Sequence, residues 1–151
     1  MKEGTMKTYV CKACGHIEFN EAPARCPVCG APQTSFEEKP DIIHRAGETK
    51  IQGEPEKKHI PSILIVKTCG LIPQGCMDAH VKVGEIEHPM LPEHYITFID
   101  FYIDNKYLSR VYLTPERLHP AAALHLKVNA GMLTAIEHCN IHGYWMSETA
   151  L

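Results

Sequence analysis

Ala122, Leu124, Leu126 and Val128 alternate with Ala123, His125 and Lys127, the period of two expected of a strand with one buried face. Asn129-Ala130-Gly131 then predicts a turn into a further strand over Met132–Glu137. Tyr95–Ile103 is apolar on both parities, Ile96 and Phe98 on one and Ile99, Phe101 and Ile103 on the other, which predicts an interior strand. Tyr107–Leu113 is another short apolar run, closed by Thr114-Pro115. No window carries the period of a long amphipathic helix. From His59 onward, short runs broken by turn residues therefore predict a mainly β domain, most simply a sandwich. Upstream, Glu37 to Lys58 is rich in Glu, Lys, Gly and Pro, with only the Ile42-Ile43 pair apolar, and reads as a linker or extended arm.

Composition narrows the chemistry more than the fold. The 151 residues have room for one small and one medium domain. Hydrophobic residues at 44% and charged residues at 22% place the chain among globular proteins. A net charge of −3 leaves no broad basic field to attract nucleic acid. No apolar run approaches the roughly 20 residues of a membrane span, and the polar start lacks the apolar core of a secretory signal. The reading places the protein in the cytoplasm. There, seven cysteines and ten histidines point to metal or redox chemistry more than to disulfides.

Cys11-Lys-Ala-Cys14-Gly15 is followed, after eleven residues, by Cys26-Pro-Val-Cys29-Gly30. Two such knuckles bring four thiolates to one tetrahedral metal. About 36 residues bury too little apolar surface to fold alone, so metal binding would supply much of the module's folding free energy. A structural zinc ribbon is the plain interpretation, although eleven residues is shorter than the usual gap of about 15–20. The segment resembles the short rubredoxin-like domain of rubrerythrins over residues 7–37. That resemblance implies Fe(Cys)4, a one-electron carrier, with zinc as the alternative occupant.

A second signal is spread along the chain. Lys58-His59-Ile-Pro61 opens the β-rich part, His88-Pro-Met-Leu-Pro-Glu-His94 follows, and Cys139-Asn-Ile-His142-Gly143 lies near the C-terminus. Two residues between Cys139 and His142 let a tight turn aim both at one ion. Several imidazoles with one thiolate suit iron, copper or zinc, and not calcium or magnesium.

From about residue 56 to the end, these elements in this order resemble the superoxide reductases of the desulfoferrodoxin and neelaredoxin family. The resemblance implies an immunoglobulin-like β-sandwich (58–151) joined by a linker (38–57) to the rubredoxin-like module (1–37). It implies a second mononuclear iron held by His59, His88, His94 and His142, with Cys139 as the axial ligand and one position open to superoxide. It also implies reduction of superoxide to hydrogen peroxide, and re-reduction of the iron by rubredoxin or another small donor with its reductase. A homodimer or homotetramer is expected on the same ground. Lys58 is the candidate for drawing in the anion. Where the family shows Glu-Lys-His, this chain reads Glu56-Lys57-Lys58-His59, so Glu56 stands one residue out of register. Alternation along an extended chain would point it away from the site. Family members with a four-cysteine module usually carry one with an adjacent cysteine pair; here the rubredoxin-like knuckles take that place, as a local electron relay.

His16, His44, His80, His119, His125 and His138 read as surface or hydrogen-bonded residues. Cys69 and Cys76 bracket an apparent insertion and read as inert thiols or an occasional disulfide, ahead of a third metal site. Two other functions compete with the reductase: a zinc-ribbon and β-sandwich adaptor without turnover, and a pure electron carrier. The first leaves the histidine motifs unexplained, and the second conflicts with an iron one ligand short of six.

Overall fold

A computed structural model describes residues 6–47 and 54–151. The first five residues of the polar start, and residues 48–53 of the linker stretch, lie outside the described residues. The N-terminal module is a three-stranded antiparallel sheet in the order β2-β1-β3, from β1 (Thr8–Cys11), β2 (Ile17–Phe19) and β3 (Phe36–Glu38). The rest is a two-sheet sandwich. Its larger sheet runs β4 (Ile43–His44), β11 (Gly143–Ala150), β10 (Met132–Cys139), β7 (Ile96–Ile103), β8 (Lys106–Tyr112). The smaller runs β5 (Pro61–Val66), β6 (Met77–Val83), β9 (Ala121–Leu126). Between them lies a core that includes Ala79, Val81, Val83, Ile99, Phe101, Leu133 and Ala135. Among the described residues the only α-helix is α1 (Glu54–His59), and no helix is long and apolar enough to cross a membrane.

The strands over 96–103, 106–112, 121–126 and 132–139 fall where the apolar pattern puts them. β7 is apolar on both parities because it is covered on both faces. Ile99 and Phe101 face the sandwich core, while Phe98 and Tyr102 pack with Ile17 and Phe19 of the N-terminal module. The stretch read as a linker is partly built into the sheet. Ile43, the second of its apolar pair, begins β4, which runs parallel to β11 with Ile43 opposite Tyr144 and buried. α1 is a second departure from an extended reading. Pro55 lies in its first turn and Lys57, Lys58 and His59 fill the last, the charge and proline placement that helix ends favour.

Polar contacts fasten the module to the sandwich. Arg110 grips Asp100 with two parallel bonds, Nε to Oδ1 at 2.5 Å and a terminal nitrogen to Oδ2 at 2.8 Å. Its other terminal nitrogen donates to the Cys14 carbonyl at 2.8 Å. Tyr144 and Tyr102 donate their hydroxyls to the carbonyls of Gly15 (2.7 Å) and Ile17 (2.8 Å). Gly15 has φ +80°, and a Cβ there would stand 2.9 Å from the Tyr144 oxygen, so glycine alone fits this close approach. His16 is fully buried between Glu18 and Asp100. Burial lowers its pKa, but the Asp100 and Glu18 carboxylates outweigh burial and raise it overall. His16 is thus of the hydrogen-bonded kind. The small module does not rely on metal alone, because its apolar face is completed by the sandwich.

Candidate metal centres

Cys11, Cys14, Cys26 and Cys29 converge with all four sulfurs within 4.8 Å of one another. Cys11 Sγ and Cys29 Sγ are 3.7 Å apart, and Cys14 Sγ and Cys26 Sγ 3.6 Å. Four sulfurs at about 2.3 Å from one ion would stand roughly 3.8 Å apart, so the set fits a tetrahedral metal. Both knuckles close alike, with Cys11 N–H donating to His16 O and Cys26 N–H to Ala31 O, each at 2.8 Å. Burial, then the proximity of Cys26 and Cys29, raises the Cys14 thiol above its ordinary range.

The second cluster assembles residues from three places in the chain. His59 ends α1, His88 and His94 sit in the β6–β7 connection, and Cys139 closes β10. A ring square results: His59–His88, His88–His94, His94–His142 and His142–His59 centroids lie 4.7, 4.6, 5.0 and 4.8 Å apart. The His59–His94 diagonal is 6.4 Å. Donor atoms of His59, His88, His94 and Cys139 lie within 4.8 Å of one another. His142 closes the square, its Nδ1 3.7 Å from the Cys139 sulfur.

Hydrogen bonds select which nitrogen faces inward. His59 Nδ1 donates to the Pro55 carbonyl at 2.6 Å, and His88 Nδ1 to the Pro89 carbonyl at 2.7 Å. Each ring therefore carries its lone pair on Nε2, the neutral tautomer that metals take. His88 Nε2 is 3.5 Å from Cys139 Sγ. His59 Nε2 and His94 Nε2 are buried with no hydrogen-bond partner. Buried polar atoms are rarely left so, and two in one cluster indicate an absent partner shared by both. Burial, first, lowers both His59 and His88 to about 4, which keeps these rings neutral and ready to donate. Cys139 is fully buried, and its sulfur receives the amides of His142, at 3.4 Å, and Ile141.

The approach of α1 depends on Gly84. A Cβ at that position would stand 2.5 Å from the Lys57 carbonyl oxygen and 3.0 Å from the His59 nitrogen. Ile86 N–H also donates to Lys57 O at 3.1 Å, so the end of β6 sets the height of His59 over the cluster. Burial, then His142, lowers the His94 pKa, and the charge of Lys58, half-buried beside His59, adds a smaller push in the same direction. Glu56 accepts the Gly47 amide at 3.0 Å, so its carboxylate is engaged there; in a helix, not an extended chain, the expected alternation does not apply.

Sequence reasoning missed Glu137, two residues before Cys139. It is fully buried with neither oxygen partnered, and burial raises it well above the carboxylate range. Its parity in an otherwise apolar run was the available signal. Sequence reasoning also did not bring Cys69 and Cys76 together with Asp78 and His125, a third group whose donor atoms lie within 4.8 Å of one another.

Fold and clusters define a β-sandwich protein with two candidate metal centres, one a set of four histidines and a cysteine and the other a set of four cysteines. The Desulfoferrodoxin family model matches residues 51–148, and the chain belongs to that family. The rubredoxin-like domain of rubrerythrin matches residues 9–37. A desulfoferrodoxin homolog of Archaeoglobus fulgidus is 30% identical over 144 residues, covering 94% of this chain and 96% of that one. A superoxide reductase of Pyrococcus abyssi is 35% identical over 106 residues, covering 63% and 88%. The solved superoxide reductase (neelaredoxin) of Ignicoccus hospitalis aligns with a TM-score of 0.60 at 25% identity, over 73% of this chain and 94% of that chain. Together with the donor sets, these matches support iron binding.

Proposed function

We propose that this chain reduces superoxide to hydrogen peroxide at an iron held by His59, His88, His94, His142 and Cys139. The observation that carries the reading is the pair of buried, unpartnered Nε2 atoms of His59 and His94, facing His88 Nε2 and the Cys139 sulfur. Iron held by these residues would supply the one electron that superoxide takes. The chain's residues do the rest. Hydrogen bonds to Pro55 and Pro89 hold two rings in the donating tautomer, and Cys139 is the one donor of the set that brings negative charge. Superoxide takes one electron and two protons, the protons coming from solvent.

The four-cysteine module is the electron relay in this proposal. Contacts run from the Cys14 carbonyl to Arg110, whose guanidinium carbon lies 3.5 Å over the Phe98 ring. Phe98 stacks on His138 at 5.2 Å and 12°, and His138 precedes Cys139 in the chain. Packed atoms thus link one donor set to the other within a single chain. The protein works in the cytoplasm in this reading, with two irons per chain and rubredoxin or a similar small donor restoring the electron. Its domains in this reading are 1–37 and 58–151, joined by 38–57, which also lends β4 to the larger sheet.

Anaerobically reduced protein mixed with superoxide tests both parts. One hydrogen peroxide per superoxide is expected, where dismutation would give half as much. An Fe(Cys)4 spectrum that oxidises at a rate independent of protein concentration is expected of an internal relay. Protein holding only zinc after iron-replete expression, and inert to superoxide, would instead favour the adaptor.

Lys58 carries its own prediction. Lys58→Ala should slow the reaction with superoxide about tenfold at low ionic strength, because one cation beside the site focuses the field on the anion. Added salt should shrink the difference between the two proteins. A salt-independent loss would mean that Lys58 acts by packing and not by steering.

A further inference from the structure

The β5–β6 connection carries donors that neither centre uses. Cys69 and Cys76 bracket the segment Cys69-Gly-Leu-Ile-Pro-Gln-Gly-Cys76, and both are free thiols. Asp78 in β6 stands directly opposite His125 in β9. Along β6, Met77, Ala79 and Val81 face the core, so Asp78 points outward, and His125 does the same between Leu124 and Leu126. The connection folds over this outer face and brings its two sulfurs down on the pair.

His125 Nδ1 is the hub. It lies 3.3 Å from Cys69 Sγ, 3.4 Å from Cys76 Sγ and 2.9 Å from Asp78 Oδ1. Cys76 Sγ and Asp78 Oδ1 are 3.6 Å apart. Sulfur at about 2.3 Å and nitrogen or oxygen at about 2.0–2.1 Å from one tetrahedral ion would be separated by roughly 3.3–3.8 Å. The sulfur distances fall in that range, and the 2.9 Å pair opens by a few tenths of an ångström. The backbone supports the same reading. Amides of Leu71 and Ile72 both donate to Cys69 Sγ at 3.3 Å, the knuckle arrangement that favours a thiolate. Cys139 receives the amides that follow it in the same way.

We propose that Cys69, Cys76, Asp78 and His125 form a third metal site, a closed four-coordinate Zn(II) site that pins the β5–β6 connection to the outer face of the smaller sheet. Two thiolates, one imidazole and one carboxylate suit zinc's borderline softness, and four protein donors leave no open position, so the site is structural. Two thiol protons pass to solvent as the ion enters. A disulfide between Cys69 and Cys76 would use the same sulfurs and leave Asp78 and His125 without a cation.

The test is zinc content of the full-length, iron-loaded protein after equilibration with Zn2+ and removal of loosely held ion. Wild type is expected to hold one more zinc per chain than Cys69→Ser/Cys76→Ser, and one more than His125→Ala. The iron spectra and superoxide-reducing activity of both variants should match wild type, which also reports that they fold. Co2+ in place of Zn2+ should give thiolate-to-cobalt charge transfer that both variants lose. Equal zinc in wild type and variants overturns the site. So does a wild-type protein, prepared without oxidant, whose Cys69 and Cys76 resist alkylation without zinc and become reactive only after reduction.

Discussion

Serine at position 139 is expected to remove the visible thiolate-to-iron band of the oxidised protein and to lower superoxide reduction at least about a hundredfold. Residues that merely orient metal ligands cost about 10–100-fold when changed, and Cys139 is a proposed ligand itself. Its position leaves little alternative. A register shift between His138 and Cys139 in the pairing of β10 with β7 re-aims the end of the strand. The sulfur then lies 3.5 Å from His88 Nε2, with the amides of Ile141 and His142 directed at it. An oxygen there is a harder donor that keeps its proton at neutral pH, so the set loses its only thiolate. Cys139→Ser should keep the metal content of the four-cysteine site and the strand signature in circular dichroism, because neither that site nor the strands use the sulfur. Retention of the thiolate band and of activity within about threefold, far above the expected loss, would remove Cys139 from the ligand set.

The candidate metal donors were legible because they sit at short, fixed separations. The two cysteine knuckles, the His88-to-His94 interval and the Cys139-to-His142 turn each span a few residues, so the local backbone suffices to aim them. Four strands were legible from alternation, or from its loss in β7. α1 was not, since six residues with proline in the first turn make too short a run to show a period. The third cluster was illegible for another reason. Asp78 and His125 meet only through the register of β6 with β9, and register is a property of two strands that neither sequence segment carries alone. The same holds for the fastening of the two modules: His16 and Asp100 are 84 residues apart, and Arg110 and the Cys14 carbonyl 96. Nothing around His16 separates a surface histidine from one buried beside a distant carboxylate.

That fastening carries the second large effect. Arg110→Met should destabilise the protein by about 3–5 kcal/mol, the cost of breaking a buried pair and leaving one charge behind. Side-chain exposure is 2% for Arg110 and 1% for Asp100, so water cannot replace the guanidinium. Asp100 would keep only His16 at 3.4 Å, and the Cys14 carbonyl would lose its donor. Arg110→Lys should recover little, because one ammonium cannot hold both carboxylate oxygens, reach Cys14 and lie flat on Phe98. Arg110→Met with Asp100→Asn should recover more than half of the loss, since no unpaired charge then remains buried and the amide can still meet His16. Urea unfolding of wild type, Arg110→Met, Asp100→Asn and the double variant measures the cycle, with Arg110→Lys alongside, and hydrogen exchange at residues 11–17 localises it. Exchange should rise first in that knuckle, which Arg110, Tyr144 and Tyr102 hold by its carbonyls. A single-variant cost under about 1 kcal/mol, typical of an exposed pair, would mean that apolar packing of Ile17 and Phe19 fastens the module without the arginine.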